Sequence, residues 1–176
     1  KKTLLVLGGS LGARTINQAM LADMKALEEG GYQVLWQCGR FYFSEMETQV
    51  KTSELKHIHV LEFIREMDLA YAAADVVVSR AGALSVSELS LVGKPVVFIP
   101  SPNVAEDHQT KNAMAYVSQD AAILLKDSEA IGKLKMTVDA IMEDQNKAEQ
   151  LASNIKKLAK PNAANEIIEA LEQIIV

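Results

Sequence analysis

The stretch Gly8-Gly9-Ser10-Leu11-Gly12-Ala13 stands between an apolar run, Thr3–Leu7, and an apparent helix beginning at Arg14. A glycine turn at a helix amino terminus offers backbone N–H groups and the positive end of the helix dipole, which favour an anion such as a phosphate. A plain strand-to-helix turn satisfies the same pattern, and this stretch alone leaves both readings open. The dinucleotide fingerprint G-x-G-x-x-G is broken here. Aligned on Gly8, Ser10 and Ala13 stand at the second and third glycine positions. The next strand ends Gln37-Cys38-Gly39, with no acid for an NAD ribose. No Gly-Lys-Ser/Thr follows, which excludes a P-loop.

Three further stretches carry polar or backbone chemistry at the ends of apolar runs. In Leu61-Glu62-Phe63-Ile64, exposed backbone beside an apolar side chain suits a flat base, although both side chains also read as ordinary core. In Ser79-Arg80-Ala81-Gly82-Ala83-Leu84-Ser85, a small-residue loop leads into Ser85-Val86-Ser87-Glu88, which fits the capping box S-x-x-E. Glu88 is thereby either a helix cap or a carboxylate for a ribose diol beside a diphosphate, and the local pattern favours the cap. In the loop after Pro100, Asp107, His108, Gln109 and Asn112 share about one turn of helix. Such a polar cluster suits sugar hydroxyls, or is a solvated helix start in which Asp107 offsets the dipole. His108 alone is a weak candidate base.

These stretches need a scaffold that brings them together. Apolar, β-branched runs at Thr3–Leu7, Gln33–Cys38, Ile58–Leu61, Asp75–Ser79, Val96–Ile99 and Ala121–Leu124 predict strands. Helical patterns fall at Ala13–Glu29, Ser44–Thr52, Met67–Ala73, Ser85–Val92, Asp107–Val117, Ala130–Glu143, Lys147–Lys157 and Asn162–Ile175. Nearly all-apolar strands alternating with helices predict a Rossmann-like, doubly wound α/β domain with about six parallel strands. Such sheets bind ligands beyond the carboxyl ends of their strands, where all four stretches lie. Their agreement points to a nucleotide-sugar or a similar ligand in one cleft. The region from about Asp127 lacks strand signals and reads as helices packed on the flank of the sheet.

At 176 residues the chain is long enough for one domain with a substantial core. Its net charge of −5 argues against a nucleic-acid backbone as main partner. Cys38 has no cysteine to pair with and reads as a small half-buried filler. No apolar run approaches the roughly 20 residues needed to span a bilayer, and no signal peptide is visible. The chain opens on Lys1 rather than Met, and is expected to be one domain of a longer protein.

Three segments in order, GGSLGAR, EFIREMDLAYAAADVVVSRAGALSVSEL and GKPVVFIPSPNVAEDHQTKNA, resemble the carboxyl-terminal half of the MurG family of bacterial cell-wall glycosyltransferases. The resemblance covers nearly the whole chain. It implies the donor half of a GT-B fold, two Rossmann-like domains about a cleft, with residues 1–176 forming the donor-binding domain. The implied reaction is transfer of N-acetylglucosamine from UDP-N-acetylglucosamine to a lipid-linked muramyl-pentapeptide, with inversion, at the cytoplasmic face of the membrane. Residue by residue, the resemblance places Ser10 at the diphosphate and Ile64 against uracil through its backbone. It places Ala83, Leu84 and Ser85 at the phosphates and sugar, and Glu88 on the ribose hydroxyls. Gln109 would contact N-acetylglucosamine, with Asn112 supporting it. The family's acceptor site, second glycine-rich loop and proposed base belong to an amino-terminal domain absent from this chain, so no catalytic residue is expected here. No metal or cofactor is implied. A UDP-N-acetylglucosamine 2-epimerase-like domain, another GT-B donor domain and a non-catalytic nucleotide-binding module are the alternatives.

Overall fold

The computed structural model describes residues 1–174. The elements run β1 Thr3–Leu7, α1 Arg14–Glu29, β2 Gln33–Gln37, α2 Phe43–Thr52, β3 Ile58–Leu61, α3 Met67–Ala73, β4 Val76–Ser79, α4 Ala83–Val92 and β5 Val96–Phe98. A short 3₁₀ turn, Ala105–Asp107, then leads into α5 His108–Val117, β6 Ile123–Leu124, α6 Asp127–Met142, α7 Gln145–Lys157 and α8 Ala163–Ile174. Of the last expected helix, Ile175 lies outside the described residues.

The strands form one parallel sheet of six in the order β3-β2-β1-β4-β5-β6. This is the doubly wound arrangement the alternation predicts. Its order reverses between β1 and β4, where a ligand crevice opens at the carboxyl ends. Side chains alternate across each strand. Leu4 and Val6 therefore enter a core shared with Ile16, Met20 and Leu134, while Leu5 and Leu7 enter one shared with Tyr71, Leu89 and Ala113. Helices α1, α2 and α6 cover the first face, and α3, α4 and α5 the second.

Three expectations are corrected. The helix after β4 begins at Ala83 rather than Ser85. Its cap is Gly82, in extended conformation, and Ser85 lies within the first turn, so Ser85 and Glu88 form no capping box. The helix expected from Ala130 begins at Asp127 and is broken at Ile131 and Gly132, the latter at φ 89°. Finally, α6 and α7 pack on the domain, but α8 buries no residue, and Ile167, Ile168, Leu171 and Ile174 are exposed. Periodicity identifies an apolar face and says nothing of what covers it. Among the described residues, no helix is long and apolar enough to cross a membrane.

Candidate functional site

The turn after β1 is shaped by backbone contact with the end of β2. Gly8 N–H donates to the Gln37 carbonyl at 2.9 Å. A Cβ on Gly12, whose φ is +98°, would lie 2.5 Å from the Cys38 carbonyl oxygen and 2.4 Å from the Tyr42 ring. Gly9, at φ +77°, has nothing within 4 Å of where its Cβ would be. The turn is thus packed tightly on one side and open on the other. Behind it, buried Asn17 accepts from the Trp36 indole at 3.0 Å and donates to the Cys38 carbonyl at 2.9 Å. That buried pair fixes the start of α1 against β2 and satisfies polar groups that would otherwise cost free energy in the core. Cys38 is fully buried, and burial pushes its thiol up to about 11, which agrees with a filler role.

Helix α1 begins after Ala13 and α4 after Gly82, and neither has a side-chain cap hydrogen bond. The first N–H groups of an α-helix lack intrahelical partners. Both helices therefore direct uncapped amino ends, with their partial positive charge, towards the carboxyl edge of the sheet. Between them lies a cavity of about 510 Å³ whose lining includes Gly9, Ser10, Gln37, Leu84, Ser85 and Glu88. A second hollow of about 470 Å³, beside Pro100, Pro102 and Lys126, contains neither the glycine turn nor Glu88.

Among the residues singled out in the sequence, Ser10, Leu84, Ser85 and Glu88 meet at the first cavity. Ala83 opens α4 beside it and is exposed. Ile64 is buried, and its N–H donates to the Gln37 side chain at 3.0 Å, so that group is already engaged. Gln109 and Asn112 are not in the cavity lining. Gln109 Oε1 accepts from the Ser101 N–H at 2.9 Å and shapes its own loop. Asn112 Nδ2 donates to the Ala81 carbonyl at 3.0 Å, which ties α5 to the turn before α4. His108 is exposed at the start of α5. No group of three or more His, Cys, Asp or Glu that could hold a metal ion occurs among the described residues.

Three residues of the site had drawn no functional reading in the sequence. Gln37 links the first two turns, since its carbonyl takes Gly8 N–H and its carboxamide takes Ile64 N–H. The visible signal was a polar residue ending an apolar strand. Tyr71 is buried on the cavity wall, and its phenol is pushed up by desolvation, then by the charge of Glu88 and a hydrogen bond to its carboxylate. Glu88 is exposed and lines the cavity beside Tyr71. Arg80 lines the same cavity, and its Nη1 donates to the Ile99 carbonyl at 2.9 Å and to Asp127.

The glycosyltransferase family 28 C-terminal domain matches residues 3–167. A UDP-N-acetylglucosamine–N-acetylmuramyl-(pentapeptide) pyrophosphoryl-undecaprenol N-acetylglucosamine transferase of Flavobacterium psychrophilum is 50% identical over 175 residues, which is 99% of this chain and 47% of that protein. Its counterpart from Christiangramia forsetii is 50% identical with the same coverage. The crystal structure of Acinetobacter baumannii MurG superimposes with a TM-score of 0.84 at 30% identity, covering 98% of this chain and 50% of that one. A putative UDP-N-acetylglucosamine 2-epimerase from Listeria monocytogenes has a TM-score of 0.70 at 13% identity over 99% of this chain and 45% of that one, a likeness of fold alone. The chain spans about half the length of the curated relatives it matches. The family match extends over nearly the whole chain, and the chain belongs to the glycosyltransferase family 28 C-terminal domain family.

Proposed function

We propose that this domain binds UDP-N-acetylglucosamine as the donor half of an inverting transferase that glycosylates a lipid-linked muramyl-pentapeptide. The observation that carries this reading is the convergence of two uncapped helix amino ends and one carboxylate on a cavity of about 510 Å³. Backbone N–H groups of the glycine turn and of Ala83 and Leu84 receive the diphosphate, with the hydroxyls of Ser10 and Ser85 beside it. Glu88 accepts from the two ribose hydroxyls, oriented by Tyr71. The uracil lies at Phe63 and Ile64, where the Ile64 carbonyl is the backbone acceptor, because Gln37 takes its N–H. Gln109, whose Oε1 takes the Ser101 N–H, meets the N-acetylglucosamine through its Nε2 only where the sugar extends beyond the cavity towards α5, and Asn112 supports it by fixing the Ala81 turn.

Negative charge develops on the diphosphate as it leaves, and preorganised N–H dipoles stabilise it without reorganisation. Inversion also requires a base to take the proton of the acceptor hydroxyl. That base, and the acceptor site, belong to a second, amino-terminal domain, which relatives about twice as long have room for. The exposed apolar face of α8 is available to dock against it. In the full-length enzyme the acceptor lipid brings the protein to the cytoplasmic face of the membrane as a peripheral protein. The experiment is calorimetric titration of the chain with UDP, UDP-N-acetylglucosamine and NAD. Both UDP compounds bind and NAD does not; comparable affinity for NAD contradicts the reading.

A further inference from the structure

The two turns that face the cavity with bare backbone are joined by one carboxylate outside it. Asp127 is the first residue of α6, and its side chain is only 17% exposed. Its Oδ1 accepts from Arg80 Nη1, in the turn between β4 and α4. Its Oδ2 accepts from Thr15 Oγ1 at 2.9 Å, in the first turn of α1 directly after the glycine turn. The same Arg80 nitrogen donates to the Ile99 carbonyl at 2.9 Å, so the guanidinium is clamped between β5 and α6. Both amino ends thus share a single tether, and that tether is a half-buried ion pair rather than an apolar contact.

We infer that Asp127 is a positioning residue for diphosphate binding, setting the spacing between the glycine turn and the start of α4 by holding Thr15 and Arg80 at once. The inference rests on the reading that the cavity takes a UDP compound. A diphosphate bridging two helix ends needs both sets of N–H groups at hydrogen-bond range together, and a shift of a few tenths of an ångström at either end lengthens several bonds at once. Removing the carboxylate charge also takes from Arg80 the charged contact that holds the turn before α4 in place. The base and ribose contacts, at Ile64 and Glu88, lie in the loop between β3 and α3 and further along α4, and do not involve this tether.

The test compares UDP with uridine, which lacks phosphates, on the parent chain, Asp127→Asn and Thr15→Val, with melting recorded for each. Asp127→Asn weakens UDP binding by about tenfold, as loss of charged hydrogen bonds does. Thr15→Val, which keeps the ion pair, weakens it by about threefold. Uridine affinity, followed by NMR titration, is unchanged in both. Equal loss of UDP and uridine affinity means a merely structural role and overturns the inference, as does unchanged UDP binding in Asp127→Asn. Should Asp127→Asn fail to fold, Thr15→Val decides, and parental UDP affinity there overturns the inference. A parent chain that binds no UDP removes the functional reading itself, a result distinct from a parent that binds and variants that match it.

Discussion

Glu88 is the residue on which the site turns. It is exposed at the cavity, it caps nothing, and it lines that cavity beside the buried Tyr71. Glu88→Gln keeps size and an acceptor oxygen and removes charge from the two bonds proposed to the ribose. Charged hydrogen bonds contribute roughly 1.5–3 kcal/mol, so UDP binding measured by calorimetry weakens on the order of tenfold. Melting stays within the noise, because Gln keeps an acceptor oxygen for the Tyr71 hydroxyl and the side chain is exposed, and parental UDP affinity in this variant removes the ribose role. Tyr32 gives a pH signature elsewhere in the fold. Burial, then a hydrogen bond to Asp139, pushes its phenol up to about 12 from an ordinary value of 10.0. A raised acid favours folding while it stays protonated. Its contribution is complete below pH 10 and is lost as pH rises through about 12. Tyr32→Phe therefore has a flatter stability profile between those two pH values in denaturant melts; a profile as steep as the parent's removes this account.

At the scale of elements, helix ends decide what is open to a ligand. The helices α1 to α6 all lack side-chain caps, and of these α1 and α4 open onto the cavity, whereas α7 is capped, since Asp144 Oδ1 accepts from the Lys147 N–H at 3.0 Å. Asp144→Ala costs about 1 kcal/mol by chemical denaturation, with UDP affinity untouched; a neutral change shows that the cap contributes nothing to stability. The contrast also explains what could be read from the sequence. Strand β1, buried at all five positions, ends where its apolar run ends, because in a buried parallel sheet the run is the strand. The start of α4 was misplaced because Ser85-Val86-Ser87-Glu88 carries the residue types of a capping box one turn too late. The small Gly82 had already taken the extended cap conformation. Ser10, Leu84, Ser85 and Glu88 were legible as residues facing one cleft because Ser10 sits in the turn after β1 and the other three in the first turns of the helix after β4. The Arg80–Asp127 pair was not, since its partners are 47 residues apart and only the fold brings them together.

For the whole molecule, the central claim is that the sheet's carboxyl edge holds a diphosphate between α1 and α4, and that chemistry awaits a second domain. Assayed alone with UDP-N-acetylglucosamine and lipid-linked acceptor, the 176-residue chain is expected to transfer no sugar, because the proposed reading assigns acceptor site and base to a second domain. Product formed by the isolated chain removes the two-domain account. The most direct measurement of the binding claim is an amide NMR titration of the chain with UDP. The amides of Gly9, Ser10, Ala83, Leu84 and Ser85 shift together and saturate together as the two helix ends take up one ligand. Shifts confined to the hollow beside Pro102 and Lys126, or a glycine turn that does not respond while α4 does, would contradict it.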